Sequence, residues 1–400
     1  MNFKYLPFWV FLTTCILLTA QEKNAPPFGK GIFNLTARDS SWSMKIGARM
    51  QFLGTSSWER NAEGGLVRPE TNMLVRRARL KFNGFALTPR LKYKLELGLS
   101  NRDISGASEY TGDAPRYILD AVVMWNFYGN LELWVGQTKL PGNIERVISS
   151  GNLQLVDRSL LNSRFNLDRD MGLQLRHHFN FGNGMVVREK LALSQGEGRN
   201  VTVGNLGGHE YTARLEFLPL GEFAGEGEYS GGDLFREPHP KLMLAITLDS
   251  NQDAVKSRGN QGSYMVNDSG FYETNITTFF ADTMFKYQGF SLMAEYANRE
   301  AADPVARNQD GTPTGTEVLT GHGLNLQSGY VFDGNWEVAG RYTHNEYDNP
   351  DSFPSESQYT LGVSRYIAGH KLKVQSDLSY LDLDDGLGEV LYRLQFDIHF

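Results

Sequence analysis

Five cations stand at alternate positions in one short stretch: Arg77, Arg79 and Lys81 before a turn, Lys92 and Lys94 after it. A guanidinium is a planar fork of donors that suits phosphate or carboxylate oxygens, and basic rings in a narrow passage concentrate anions and repel cations. The residues between them show which element must carry such a row. Leu74, Ala78, Leu80 and Phe82 separate the first set, and Leu91, Tyr93, Leu95, Leu97 and Leu99 the second. On a β-strand that period of two gives one apolar and one charged face; wound as a helix, the same residues would scatter Lys and Glu around the circumference. Arg76 interrupts the apolar face. Ten residues rising roughly 3.3 Å each at a tilt near 45° climb about 23 Å, close to the apolar band of an outer-membrane barrel wall. Joined by the turn from Gly84 to Pro89, the two stretches read as a hairpin in the wall of a pore.

Other chemistry finds little support. His177 and His178 are adjacent on a strand, point to opposite faces and cannot grip one metal. Asp382, Asp384 and Asp385, with Glu346, Asp348 and Asp351, read as solvated acidic loops. Gly204 to Gly208 lacks the strand, lysine and helix of a phosphate loop. No spacing marks a Ser and His brought together, so no catalytic residue, metal ligand or cofactor is expected.

Lys4, the apolar run Phe8 to Leu18 and Ala20 are the parts of a secretory signal peptide, with cleavage after Ala20. Cys15, the single cysteine, lies within it, so disulfides play no part in the mature chain. No later run is long and apolar enough for a membrane helix. Lys4 is the one charged residue removed, leaving 38 cationic against 46 acidic side chains, a net of −8, which does not suggest a nucleic-acid partner. Residues 21–41, polar and broken by Pro26, Pro27, Gly29 and Gly31, read as an N-terminal tail, and 42–400 as the folded domain.

Within that domain about sixteen strands alternate with connections that are long, then short, as in an outer-membrane barrel. The stretches 53–73, 100–116 and 138–168 are expected as long loops. Pro219 to Pro240 is long where a short turn is due, and reads as an excursion or two small strands. The last strand alternates Val390, Tyr392, Leu394, Phe396, Ile398 and Phe400 with polar residues, and must pair with the first to leave no edge in lipid. Trp42, Tyr117, Trp134, Trp336, Tyr366 and Tyr380 are expected in interfacial girdles.

Arg77-Ala78-Arg79-Leu80 with Gly84, then Gly136, Gln137, Lys139, Pro141, Glu145 and Arg146, then Arg158 and Ser159, then Arg169, Asp170 and Gly172 follow one another in a familiar order. Leu218, Pro219, Gly221, Glu222 and Phe223, and Arg236, Glu237, Pro238, Pro240 and Lys241, continue it. On these motifs the chain resembles the phosphate-selective porin O and P family from about residue 29 to Phe400. The resemblance implies an all-β, sixteen-stranded transmembrane antiparallel barrel, usually a homotrimer, whose third long loop folds inward. It implies a bacterial outer-membrane setting among lipid and lipopolysaccharide, and a terminal aromatic strand read by the barrel assembly machinery. The third loop maps to Thr138–Asp168 and adds Lys139, Arg146, Arg158 and Arg164 to the candidate anion-pairing residues. Lys45, Arg49, Arg188, Lys190 and Arg214 are further candidates for the lining, with Glu96, Glu132, Glu189 and Glu216 able to balance them. The expected function is passive diffusion of small hydrophilic solutes with anions such as phosphate favoured; the alternatives are a general porin and, in another class, a barrel enzyme or adhesin.

Overall fold

A computed structural model describes residues 27–400, apart from 62–64, 105–109, 111–115, 183, 385 and 387. The expected signal segment, residues 1–20, and Asp385 lie outside the described residues. Sixteen antiparallel strands close into a barrel: β1 Trp42–Arg60, β2 Leu66–Ala86, β3 Thr88–Gly98, β4 Ile118–Tyr128, β5 Leu131–Lys139, β6 Arg169–Asn180, β7 Val186–Ser194 and β8 Glu210–Leu218 form one half. β9 Lys241–Ala254, β10 Thr274–Tyr287, β11 Phe290–Ala301, β12 Gly321–Val331, β13 Trp336–Tyr347, β14 Glu356–Tyr366, β15 Leu372–Leu383 and β16 Gly388–His399 form the other. β16 pairs with β1 from Arg49↔His399 to Arg60↔Gly388, so every strand has two neighbours and no backbone edge meets lipid. Within the segment read as a tail, Phe33–Thr36 adds a short strand beside Ser43–Ile46, continuing the row where β16 ends.

The faces are inverted relative to a water-soluble protein. Along β9 the apolar Leu244, Ile246 and Leu248 are 45%, 51% and 55% exposed on the outside, while Thr247 and Asp249 inside are 1% and 0%. That alternation is what a wall between hydrocarbon and a polar lumen requires.

Three expectations need adjusting. The stretch 53–73 is mostly strand, because β1 and β2 run on together from Trp42↔Ala86 to Arg60↔Leu66. Pro219 to Pro240 contains no strand, only a short 3-10 turn at Ala224–Tyr229. Trp134 and Tyr366 are not girdle residues: Trp134 lies beneath the Arg176 guanidinium, 3.5 Å from its ring centre, and Tyr366 is buried with its hydroxyl donating to Glu337.

The hydrophobic core lies inside the barrel, between the third loop and the wall. Leu140, Leu161, Phe165 and Leu167 pack on Phe280 and Ala297, and Ile144, Ile148 and Leu153 on Leu218, Met243, Met284 and Met293. Each such side chain contributes roughly 1.5–3 kcal/mol by leaving water, so the loop is a folded insert rather than a loose strap.

Candidate functional site

The third loop, residues 140–168, carries two short helices, α1 Ile144–Val147 and α2 Leu160–Phe165. Ser159 caps α2 by accepting from the Asn162 amide at 3.1 Å, and its own amide donates to buried Glu145. Polar ties from around the barrel fix the insert. Glu295 accepts from the Glu145 amide at 2.8 Å, Asp377 from the Val156 amide at 3.1 Å, and Lys373 Nζ donates to the Leu153 carbonyl at 2.7 Å. On the basic wall, a bulge between Gln51 and Phe52 leaves Arg76 as the extra residue opposite them, so Arg76 and Arg77 both reach Asp157, at 2.8 and 3.7 Å. This explains the arginine that interrupted the apolar face.

With one half of the lumen filled, open space remains along β1–β7: a cavity of ≈ 650 Å³ beside the third loop. Its lining holds sixteen lysines and arginines against four carboxylates, Glu96, Asp103, Asp120 and Asp168, in a chain whose net charge is −7. Some of these cations are fixed in pairs. Arg79 donates to Asp103 at 2.9 Å and Glu96 at 3.2 Å; Lys94 pairs with Asp120 at 2.7 Å and Glu96 at 3.1 Å; Arg49 pairs with Asp397 at 2.7 Å. Others are unpaired: among the described residues no hydrogen bond or ion pair holds the side chains of Lys45, Lys81, Arg102 or Lys371. Lys371, on a turn at the mouth, has its ammonium pushed below the ordinary lysine range by burial and then by Lys45, Lys30 and Arg49. Such mutual repulsion among cations is relieved by an anion.

The expected site residues divide accordingly. Arg77, Arg79, Lys81 and Lys94 line the cavity, as do Lys139, Arg146 and Arg158 of the third loop. Lys139 Nζ is spent on the carbonyls of Arg146, Val147 and Ile148 at 2.6–3.2 Å, closing the end of α1. Arg146 is locked on Asp168, and Arg158 donates to the Glu145 and Ile148 carbonyls. Burial, then the charge of Arg146, pushes the Arg158 guanidinium down to about 9. Lys92 faces the rim, exposed and outside the cavity, and Arg164 lies outside it too, paired with Glu356 at 2.8 Å. Of the further candidates, Lys45, Arg49 and Lys190 line the space; Arg214 is buried against Glu216 and Asp282, and Arg188 pairs with Glu228 at 2.5 Å. Sequence reasoning missed Arg76, Arg102, Arg169, Arg176, Arg199 and Lys371 as lining; of these, Arg176 alone was readable from its strand parity.

A polar lumen narrowed by an inward loop and walled by cations is a channel geometry, and comparison with known proteins agrees. The phosphate-selective porin O and P family matches residues 61–385. The chain belongs to that family. It is 21% identical over 371 residues, 84% of this chain and 83% of the other, to an uncharacterized protein of Aquifex aeolicus. Among solved structures, the anion-selective porin from Comamonas acidovorans superposes with a TM-score of 0.53 at 13% identity, over 90% of this chain and all of its own. Salmonella typhi OmpF, in complex with daunomycin, gives 0.54 at 10%, over 92% and 100%, and the channel DcaP of Acinetobacter baumannii 0.51 at 11%, over 92% and 99%. At these identities the structures bear on fold alone. The protein is an outer-membrane porin, and its family and fold are those of a channel rather than an enzyme.

Proposed function

We propose that this porin passes small anions, phosphate among them, by diffusion through the half-lumen beside the third loop. The observation that carries the reading is the sixteen-to-four excess of cations over carboxylates lining the cavity. Arginines held by neutral groups, Arg158 on backbone carbonyls and Arg176 on the Gln174 amide oxygen, supply a fixed positive potential, while unpaired Lys81, Lys45, Lys371 and Arg102 offer transient ion pairs along the path. At 4 Å and an effective dielectric near 20, one such pair gains about 4 kcal/mol before desolvation is subtracted, enough to draw an anion in without trapping it. Local charge governs because screening acts over about 8 Å, so the acidic whole chain does not oppose it. No covalent step is involved.

A homotrimer in the outer membrane, in contact with lipid and lipopolysaccharide and assembled through its aromatic terminal strand, completes the proposal; family membership supports it. Export by the signal segment 1–20 belongs with it. Reversal potential across a planar bilayer under a potassium chloride gradient tests the anion preference, and chloride current titrated with phosphate tests the solute. Anion preference with inhibition by phosphate supports the reading; a cation preference rejects it.

A further inference from the structure

The connection between β8 and β9 spans residues 219–240, whereas the other connections at that end of the barrel run from one to five residues. It enters the lumen from the end opposite to the third loop. Phe223 is buried with Ile144, Ile148 and Leu153 of that loop, and the Gly231 amide donates to the Asn152 carbonyl at 2.6 Å. Wall groups hold the tip by its carbonyls: Lys286 Nζ takes those of Ser230, at 2.9 Å, and Gly232, while His370 Nε2 lies 3.0 Å from that of Gly231. Asp233 accepts from the Gly289 amide at 2.8 Å, fixing its base.

The two inserts therefore meet tip to tip and divide the lumen. What lies behind them differs in charge from the open side. The buried side chains of β8–β15 include eight carboxylates and five lysines or arginines, an acidic bias opposite to the lining of the cavity. We infer that segment 219–240 completes a selectivity partition begun by the third loop: the loop covers Asp282, Glu295, Glu356 and Asp377, and the segment closes the opposite end over Glu216 and Glu337, so that ions meet the cationic half alone. Pore width and ion preference then depend on this segment as well as on the third loop. Were the acidic half wetted, its carboxylates would lie within a Debye length of part of the stream and admit cations.

The inference rests on the proposed anion channel, and one experiment separates the two. The full-length protein is compared in bilayers with a variant whose residues 224–236 are replaced by a short Gly-Ser linker, which suffices because β8 and β9 are paired neighbours. A second variant, Gly231→Val, leaves the wall intact; a Cβ at 231 falls within 3.0 Å of the Gln154 backbone, so the side chain pushes the two tips apart. The linker variant is expected to conduct at least about twofold more, with its chloride-to-potassium permeability ratio falling toward unity, and Gly231→Val to move both values the same way. Heat-modifiable, folded variants with the parent's conductance and ion ratio overturn the partition, and Gly231→Val alone decides if the linker variant does not assemble. A parent that prefers cations overturns the channel reading instead.

Discussion

At the scale of residues, the cations divide into those held by the fold and those left for solute, and the two kinds answer differently to substitution. Lys81→Ala with Lys371→Ala removes unpaired charges, so melting should change little while the anion-to-cation permeability ratio falls several-fold; an unchanged ratio would remove these lysines from the path. Arg79→Ala strands Asp103, which is nearly buried, and leaves Glu96 with Lys94 as its one remaining cation. Breaking a buried pair costs about 3–5 kcal/mol, so this variant should lose thermal stability as well as selectivity, the first read by circular dichroism in detergent and the second in bilayers. Arg77, Arg79, Lys81 and Lys94 were legible in the sequence because strand parity assigns each a face. Arg102, Arg199 and Lys371 sit on connections, where no period does so, and Arg164 was misplaced for the same reason: a loop sequence does not disclose which wall its side chains will find.

At the scale of elements, the third loop stays in place through carboxylates that resist protonation. Burial raises the carboxyls of Asp157 and Asp168, but Arg76 and Arg77 around the first, and Arg146 and Arg169 around the second, outweigh it and hold both below the ordinary range. A depressed carboxylate contributes stability that is full above its unfolded value near 3.8 and is lost as pH falls through the lower folded value. Conductance should therefore hold steady from pH 7 to about 5 and become erratic only below about 4. Asp157→Asn should produce that noise already at pH 7, and quiet, parental current from it would deny the anchor. The strands were legible because lipid demands an apolar residue at every second position. The extension of β1 and β2 was not, since beyond the apolar band both faces are wet and pairing alone sets the length. The inward course of 219–240 was hidden likewise, being decided by contacts with Asn152, Lys286 and His370, remote in sequence.

At the scale of the whole molecule, closure and charge segregation act together. A barrel of sixteen strands without inserts would be a wide tube with mixed lining; two inserts from opposite ends fill its acid-biased side and leave a narrow basic one. Pairing of β16 with β1 along twelve residue pairs keeps that geometry without an edge in lipid. Removing β16 should therefore abolish the folded, heat-modifiable species rather than weaken it, as read by electrophoresis before and after boiling. The claim on which the rest depends is that the cationic half-lumen is the conducting path. It is tested most directly by the reversal potential of the purified protein under a tenfold potassium chloride gradient, followed by titration with phosphate. The account predicts a potential displaced toward that of chloride and a current that phosphate suppresses; a potential displaced toward that of potassium would contradict it.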